Sequence, residues 1–501
     1  MRGLSPRASL SGHRAFLLAL AVGIVVRCLA MAAYWPAFVI SDGPTYLAIS
    51  RRLVPSTVHV IGYPVVLRVL SWATDGVWLV AGVQHVLGLV TATLIYALLR
   101  RRGCSPRLAT LASLPVLLDG MQLVLEHQVL SDVLYQLLLT VAVLLFLWRP
   151  RPSTLAVALG ALVLGLSVLV RVGGQPVVLP AVILVVLVGR GWRTKLVHAV
   201  LVAVVFAVPL LAYAGWYDAH HGAFALTQSG GRALYMRTTS FVDCSRLSLP
   251  SYEQPLCPPE PLGRRRDPTW YGWHDPGETY GRSGLPGGTT ADEAMRDFAD
   301  RAIRSQPAAY ARVVGRDFLL AFDWRRGNRF GYDTAFKWRF DGWYHYQPSA
   351  FTGPAYLQHG GVLPRTTGPL AVLMSGYGRV VYLAGPIMLL LLLLALAGLL
   401  HRRRDGGPDQ RPALFLLLTL GVGLVLVPDV TAQFVWRYTL PMLTLVPPAA
   451  ALAWVQLRGP RPGDPGDAQN GLPEGRDEAA LEHPGRRDHE SVVDRDQPGI
   501  R

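Results

Sequence analysis

The chain has 501 residues, of which 51% are hydrophobic and only 16% are charged, and its formal net charge is +15. Soluble proteins are typically about 25% charged, so this composition argues against a soluble enzyme, a disordered protein and a nucleic-acid binder. Four cysteines exclude a scaffold built from disulfides. The apolar residues gather in blocks of about 20, the length of a membrane-spanning helix. The sequence therefore predicts an all-α polytopic membrane protein.

About ten apolar segments are predicted to span the membrane. If the chain crosses the membrane ten times, the arginine clusters that flank these segments all lie on the same side of the membrane. Clusters of this kind mark the cytoplasmic side. We therefore expect a multi-pass protein of the cell membrane with both termini in the cytoplasm. This orientation accounts for most of the positive charge without a nucleic acid. The segments are residues 15–37, 77–99, 108–125, 133–148, 154–170, 176–188, 196–216, 380–400, 413–427 and 438–457.

The spacing of these segments divides the chain into four parts. Residues 1–216 form an N-terminal transmembrane module, and 366–458 form a C-terminal one. Residues 217–365, inserted between the seventh and eighth spans, are too long for a plain loop and predict an extracytoplasmic α-rich domain. The apolar spacing within 291–322 predicts one or two amphipathic helices, broken near Pro307. Residues 459–501 have too few apolar side chains for a core and predict a disordered cytoplasmic tail.

Two of the four cysteines, Cys244 and Cys257, lie in the extracytoplasmic domain. Because oxidising compartments allow disulfides, we expect these two to be bonded. The alternative is a pair of unrelated thiols. Cys28 and Cys104 are expected to be free.

A first polar segment, residues 41–46 (Ser-Asp-Gly-Pro-Thr-Tyr), follows the first span. One interpretation is structural: Ser41 or Asp42 caps a short helix, and Pro44 suits its first turn. The other interpretation is chemical, with the Asp42 carboxylate acting as a general base at the boundary between water and lipid. The two interpretations are compatible.

A second polar segment lies between the third and fourth spans and contains Glu126, His127, Ser131 and Asp132. Ser131 is a candidate cap for the fourth helix. Ionisable groups at membrane depth are costly and usually functional. We therefore expect Glu126, His127 and Asp132 to converge with Asp42 on one face.

Several arginines lie on the outer side, against the general orientation of positive charge. They are Arg171, Arg437 beside Tyr438, Arg51 and Arg52. A guanidinium binds phosphate through two parallel hydrogen bonds. The alternative is that these side chains extend to the lipid headgroups.

Two further sets of polar residues are predicted to be structural. Arg27 and Asp119 lie within spans, and we expect them to form an ion pair. Gln84 and His85 are expected to form hydrogen bonds between helices rather than to bind a metal. The sequence contains no P-loop and no His-Glu-x-x-His motif.

In their order and membrane side, these motifs resemble those of the GT-C superfamily of integral membrane glycosyltransferases. The resemblance is closest to the dolichyl-phosphate-mannose protein mannosyltransferase-like branch of actinobacterial type, and it covers residues 15–457. The matching segments are Asp42 in Ser-Asp-Gly-Pro-x-Tyr, His59-Val-Ile-Gly-Tyr63-Pro64, Ser131-Asp132, Arg171-Val-Gly-Gly and Arg437-Tyr438-Thr-Leu-Pro441.

The resemblance implies a polyprenyl-phosphate sugar donor in the bilayer and an acceptor hydroxyl of a protein, lipid or glycan on the extracytoplasmic side. Asp42 would deprotonate the acceptor, and the sugar would transfer with inversion. Asp132, with Glu126 and His127, would orient the acceptor or the sugar, and Arg171 and Arg437 would stabilise the leaving phosphate. Tyr438, His59 and Tyr63 are further candidates for substrate binding.

Other residues carry weaker expectations. A divalent metal is an alternative to direct base catalysis, since two carboxylates also bind cations. Lys337 and Arg339 are candidates for further phosphate contacts. Aromatic residues of the extracytoplasmic domain are candidates for stacking on sugar rings, or for the domain core. They are Trp270, Tyr271, Trp273, Trp338, Trp343 and Tyr344.

A polytopic transporter or a flippase for lipid-linked sugars is the main alternative function. Transporters place polar sites near the membrane midplane on broken helices, and Arg27 and Asp119 are the residues that favour this alternative. A non-catalytic scaffold for envelope assembly is a third possibility.

Overall fold

The computed structural model describes residues 6–273, 285–332, 334–342, 355, 359, 364–403 and 407–458. The predicted tail at 459–501 lies outside the described residues, as do Trp343 and Tyr344. Helices dominate the described part, and its two strands are β1, Tyr34–Trp35, and β2, Arg365–Thr366. The α-helices are α1 Pro6–Ala33, α2 Gly43–Arg52, α3 Gly62–Ser71, α4 Val77–Arg101, α5 Pro106–Leu118, α6 Gly120–Glu126, α7 Asp132–Leu147, α8 Thr154–Val170, α9 Val178–Val188, α10 Gly191–His221, α11 Gly230–Thr238, α12 Pro268–Trp273, α13 Ala291–Ser305, α14 Pro307–Leu320, α15 Gly368–Val380, α16 Gly385–Leu400, α17 Arg411–Thr431 and α18 Leu440–Leu457.

The apolar helices match the predicted spans one to one. Five are long and apolar enough to cross a membrane: Gly12–Ala33 within α1, α4, α10, α17, and Trp436–Leu457 including α18. Two bent pairs, α5 with α6 and α15 with α16, bring this number to seven. Three shorter apolar helices, α7, α8 and Val172–Val188, complete the set. The chain is thus an all-α, multi-pass membrane protein.

One face of α10 presents a stripe of exposed apolar side chains. They recur every three or four residues, so they share one side of the helix. A stripe of this size is rare on a soluble protein and fits contact with lipid. Its members, each more than half exposed, are Leu196, Val200, Val204, Val208 and Leu211.

The inner helices pack at short range through small residues. A β-carbon on Gly398 of α16 would lie 2.4 Å from the β-carbon of Ala453 in α18. Glycine therefore sets the approach of these two helices, a common device where helices meet in a membrane.

The break between α5 and α6 lies at Asp119, whose carboxylate holds several elements together. It accepts hydrogen bonds from the backbone N–H groups of Met121, at 2.9 Å, and Leu383, at 2.8 Å. Both of its oxygens also bind Arg326, at 2.7 and 2.8 Å. The predicted pair between Arg27 and Asp119 is therefore wrong, because Asp119 caps α6 and is neutralised by Arg326.

The segment 217–365 contains the predicted pair of amphipathic helices, α13 and α14, separated at Gln306–Pro307. Thr290 and Glu293 form a capping box at the start of α13. Cys244 and Cys257 form the predicted disulfide, with their α-carbons 6.1 Å apart, and Cys28 and Cys104 are free.

The segment 217–365 contacts the membrane helices directly. Helices α11 and α14 both pack against α17. The buried Arg237 of α11 binds Asp317 of α14 at 2.6 Å and the backbone oxygen of Asp429 in α17 at 3.1 Å. The independence of this segment as a domain stays a prediction.

A short main-chain link after α1 positions the polar loops. The N–H of Phe38 donates to the carbonyl of His127, and the N–H of Val129 donates to the carbonyl of Phe38, both at 2.9 Å. This link ties the loop that carries Asp42 to the loop that carries Asp132.

Candidate active site

Four segments distant in sequence surround one cavity of about 240 Å³. They are the start of α2 with Asp42, the start of α7 with Asp132, the turn after α8 with Arg171, and the turn before α18 with Arg437. All four residues line the cavity. The structure thus brings together two of the acids and two of the outer arginines that the sequence singled out.

The four charged groups alternate in sign. The Arg437 Nη2 atom donates to Asp42 Oδ2 at 2.7 Å, and its Nη1 atom lies 3.9 Å from Asp132 Oδ2. Arg171 donates to Asp132 Oδ1. Arg437 therefore lies between the two acids, and Asp132 lies between the two arginines.

The cluster is largely shielded from water. The side chain of Asp132 is 2% exposed and that of Arg437 9%, whereas that of Asp42 is 27% exposed and opens to the cavity. Interactions between charges are stronger in such surroundings than in water. Tyr438 adds an aromatic face, with the guanidinium of Arg171 at 4.8 Å and that of Arg437 at 5.2 Å from its ring centre.

Asp42 occupies the position of a helix cap, yet its side chain forms no capping hydrogen bond with α2. Ser131 likewise precedes α7 without a side-chain cap, and its hydroxyl lies 3.2 Å from that of Tyr46. The capping interpretation is therefore wrong for both side chains. The carboxylate of Asp42 is directed to Arg437 instead.

The charges around Asp42 control its ionisation. Burial alone would raise the pKa of Asp42, but the positive charge of Arg437, its hydrogen bond to this carboxylate, and the positive charge of Arg171 outweigh burial. They hold the pKa of this carboxyl well below its ordinary value. Asp42 is therefore ionised at neutral pH.

His59 lines the same cavity, and its ring lies 4.6 Å from that of Tyr46, centre to centre. Burial, aided by the charges of Arg437 and Arg171, lowers the pKa of His59, although Asp42 opposes this effect. The imidazole is therefore neutral at pH 7. Tyr63 does not line the cavity; it lies behind Tyr46, and its hydroxyl donates to Gln84 Oε1 at 2.9 Å.

Glu126 and His127 do not line the cavity, so the expected convergence holds for Asp132 and not for these two residues. Glu126 is fully buried, bound by Arg27 at 2.7 Å and by His85 at 2.8 Å. His127 is also buried, and its Nδ1 atom lies 3.2 Å from His85 Nε2. A β-carbon on Gly88 would lie 1.8 Å from Glu126 Oε1, so glycine makes room for this network. The hydrogen bonds of Gln84 to Tyr63 and of His85 to Glu126 connect different helices, which confirms the predicted interhelical hydrogen bonds.

We expect Glu126→Ala to lower the free energy of unfolding by about 3–5 kcal/mol, because it leaves the buried Arg27 without its carboxylate. Denaturant unfolding of the purified protein in detergent measures this change. Asp218→Asn, which removes an exposed carboxylate, serves as the control and should change stability by less than about 0.5 kcal/mol. Equal effects of the two substitutions would contradict a structural role for Glu126.

The other predicted contacts lie elsewhere. Arg51 donates to His359 at 3.4 Å, and neither Arg51 nor Arg52 lines the cavity. Lys337 and Arg339 do not line it either. Tyr271 is buried in the core of the segment 217–365, in agreement with the core interpretation.

The cavity is also lined by Tyr46, Tyr135 and Gln136, to which the sequence assigned no role. Helical spacing could have identified two of them. Tyr46 lies four positions after Asp42, and Gln136 lies four after Asp132, so each shares a helix face with an aspartate. Within the described part of the chain, the Tyr135 hydroxyl, Asp132 Oδ2 and Arg437 Nη1 are buried without a hydrogen-bond partner. Such groups are suited to a polar ligand.

The cavity is a poor fit for a divalent cation. Asp42 and Asp132 are each paired with a guanidinium, which competes for the oxygens that a cation would need. Among the described residues, no group of three or more His, Cys, Asp or Glu side chains is placed to hold a metal ion.

No family model and no curated protein matches the sequence. The fold is similar to three solved membrane enzymes. The S. cerevisiae protein O-mannosyltransferase Pmt1–Pmt2 complex, bound to the sugar donor, is 15% identical, with a TM-score of 0.35, over 48% of this chain and 39% of the other. The Archaeoglobus fulgidus oligosaccharyltransferase is 14% identical, with a TM-score of 0.41, over 88% and 50%.

ArnT from Cupriavidus metallidurans is 16% identical, with a TM-score of 0.36, over 88% of this chain and 76% of the other. The chain thus spans 39% and 50% of the lengths of the first two proteins. All three TM-scores are below 0.5, so the function proposed below rests on the residues of this chain.

Proposed function

We propose that this protein is a membrane glycosyltransferase that moves a sugar from a polyprenyl-phosphate donor to an acceptor hydroxyl on the extracytoplasmic side. The observation that carries the proposal is the cavity where Asp42 and Asp132 meet Arg171 and Arg437 at one end of the membrane helices. A carboxylate accepts a proton, and guanidinium groups bind phosphate. The cavity holds both kinds of group within one ion-pair network.

The proposed reaction is a single displacement at the anomeric carbon of the sugar. The acceptor oxygen attacks this carbon while its proton passes to the Asp42 carboxylate. The bond from the anomeric carbon to the phosphate oxygen breaks, and its electron pair stays on the phosphate. The configuration at the anomeric carbon is inverted, and polyprenyl phosphate leaves.

Arg437 links the binding of phosphate to the basicity of Asp42. In the structure its Nη2 atom is used by Asp42, which makes this carboxylate a weak base. Its Nη1 atom lacks a hydrogen-bond partner among the described residues. A donor phosphate on Arg437 shares the positive charge, so the pKa of Asp42 rises as the donor binds. The base is then strengthened only when the donor is in place.

Arg171 and Asp132 have supporting roles in this mechanism. Arg171 supplies a second positive charge for the leaving phosphate, whose negative charge grows in the transition state. Asp132 accepts a hydrogen bond from Arg171 and so orients this guanidinium group, and it places a negative charge 3.9 Å from Arg437. The buried Tyr135 hydroxyl and Asp132 Oδ2 are left for sugar hydroxyls.

The charged groups lie at the ends of helices rather than in their middle, which favours transfer at the membrane surface over transport through it. Arg27 and Asp119, the residues that favoured transport, are held by Glu126 and Arg326 respectively. We place the cavity on the outer side of the cell membrane and both termini in the cytoplasm.

The test is a donor panel. Purified protein in lipid nanodiscs is incubated with radiolabelled polyprenyl-phosphate sugars and a membrane extract that supplies acceptors. We expect one donor to release polyprenyl phosphate and to label the acceptor fraction. Release of polyprenyl phosphate without a labelled acceptor would show that the protein hydrolyses the donor and does not transfer the sugar. No release of polyprenyl phosphate from any donor would contradict the proposal.

A further inference from the structure

A second cavity, of about 510 Å³, lies beside the candidate active site. Its lining combines positive charge with aromatic rings, and no part of the proposed reaction uses it. We call it the arginine cleft. It is lined by Arg325, Arg326, Arg339, Arg379, Trp324 and Tyr382.

The positive charge of the arginine cleft is only partly neutralised. Arg326 is bound through both oxygens of Asp119, at 2.7 and 2.8 Å, and Arg339 forms a half-exposed pair with Asp341 at 3.2 Å. Within the described ranges, Arg325 and Arg379 form no ion pair or hydrogen bond, and both are exposed. Two guanidinium groups are therefore free to bind an anion.

The cleft lies where a membrane-spanning helix is broken. Arg379 is in the last turn of α15, Tyr382 lies in the break, and α16 begins at Gly385. Trp436, which directly precedes Arg437, also lines the cleft, so the cleft and the active site are at the same end of the helices. Aromatic residues with arginines are typical of the membrane–water interface.

The helix pair α15–α16 carries an apolar surface next to these charges. Val380 is 78% exposed, Ile387 47% and Leu390 66%. A soluble anion has no apolar part that could contact this surface, whereas the acyl chain of a lipid could cover it. The combination of free guanidinium groups and exposed apolar side chains fits an amphiphile with an anionic head.

We propose that the arginine cleft binds the phosphate headgroup of an anionic membrane lipid, at a site separate from the cavity of Asp42. The phosphate is held by Arg325 and Arg379, and the acyl chains lie along α16. Trp338 connects the two sites, because it lines the cleft and the guanidinium of Arg437 lies 5.2 Å from the centre of its ring.

Native mass spectrometry tests this proposal without any assay of sugar transfer. The full-length protein in non-ionic detergent is titrated with phosphatidylglycerol and, separately, with phosphatidylcholine. We expect phosphatidylglycerol to occupy one site that phosphatidylcholine does not. An arginine near an anionic headgroup is worth about fivefold in affinity, so R325Q/R379Q should weaken this site by roughly 25-fold.

R304Q/R312Q is the matched control, since it removes two exposed arginines of α13 and α14. It should leave the affinity unchanged, and size-exclusion chromatography checks that both double variants are folded. Equal binding of the two lipids, or equal weakening by the two double variants, would overturn the proposal. Displacement of phosphatidylglycerol by millimolar inorganic phosphate would also overturn it, by assigning the cleft to a soluble anion.

Discussion

Asp42→Asn is expected to lower the rate of sugar transfer by about 10²–10⁴-fold, the usual contribution of a general base, while the protein stays folded. Asparagine is close in size to aspartate but cannot take the acceptor proton. The fold should tolerate the change because Asp42 makes no side-chain cap to α2. Arg437 also keeps Asp132 nearby, with Nη1 at 3.9 Å from Oδ2.

The measurement is kcat for transfer from the donor identified in the panel, together with the melting temperature in detergent. Asp218→Asn is the control, because Asp218 is exposed and does not line the cavity. The kcat of this variant should match that of the wild type. A fully active Asp42→Asn variant would make Asp42 a structural residue and remove the base from the mechanism. A large loss of melting temperature would indicate that the ion pair matters chiefly for folding.

Arg437→Gln is expected to lower kcat by about 10²–10³-fold, because one charged donor to the leaving phosphate is lost. It also leaves Asp42 and Asp132 facing each other without the guanidinium between them. Removing one partner of a buried ion pair typically costs about 3–5 kcal/mol of stability, so the unfolding midpoint is measured in parallel. Arg312→Gln, on the exposed face of α14, is the control.

The pH profile separates the two roles of Arg437. In the wild type, burial favours a higher pKa for Asp42, but Arg437 holds this pKa well below its ordinary value. Without Arg437 the pKa of Asp42 rises, so the loss of kcat/KM on acidification should begin at a higher pH than in the wild type. A merely structural role would lower the amplitude and leave the position of this acid limb unchanged.

The apolar helices could be predicted from the sequence because the length of an apolar block carries most of the signal. All ten segments are helices, including the short α7, α8 and α9. The break at Asp119 was missed, although Asp119-Gly120 is a dipeptide typical of turns. When hydropathy is averaged over a window the length of a span, a single polar residue changes the mean too little to reveal the break.

The site was predicted in part, for a physical reason. The membrane side of a loop follows from the number of spans, and this placed Asp42, Asp132, Arg171 and Arg437 at the same end. Which side chains share a cavity depends on helix rotation, and here the prediction failed for Glu126. This residue faces Arg27 and His85, which lie 99 and 41 positions earlier.

The main-chain link at Phe38 has a consequence for the design of altered specificity. It fastens the loops of the two aspartates to each other through backbone hydrogen bonds, so the spacing of the acids is set by the scaffold. The arginines come from two turns that are not part of this link. Room for a bulkier donor head should therefore be sought by remodelling the turns at 172–177 and 436–439, with Arg437 retained and the acidic half of the pocket left unchanged.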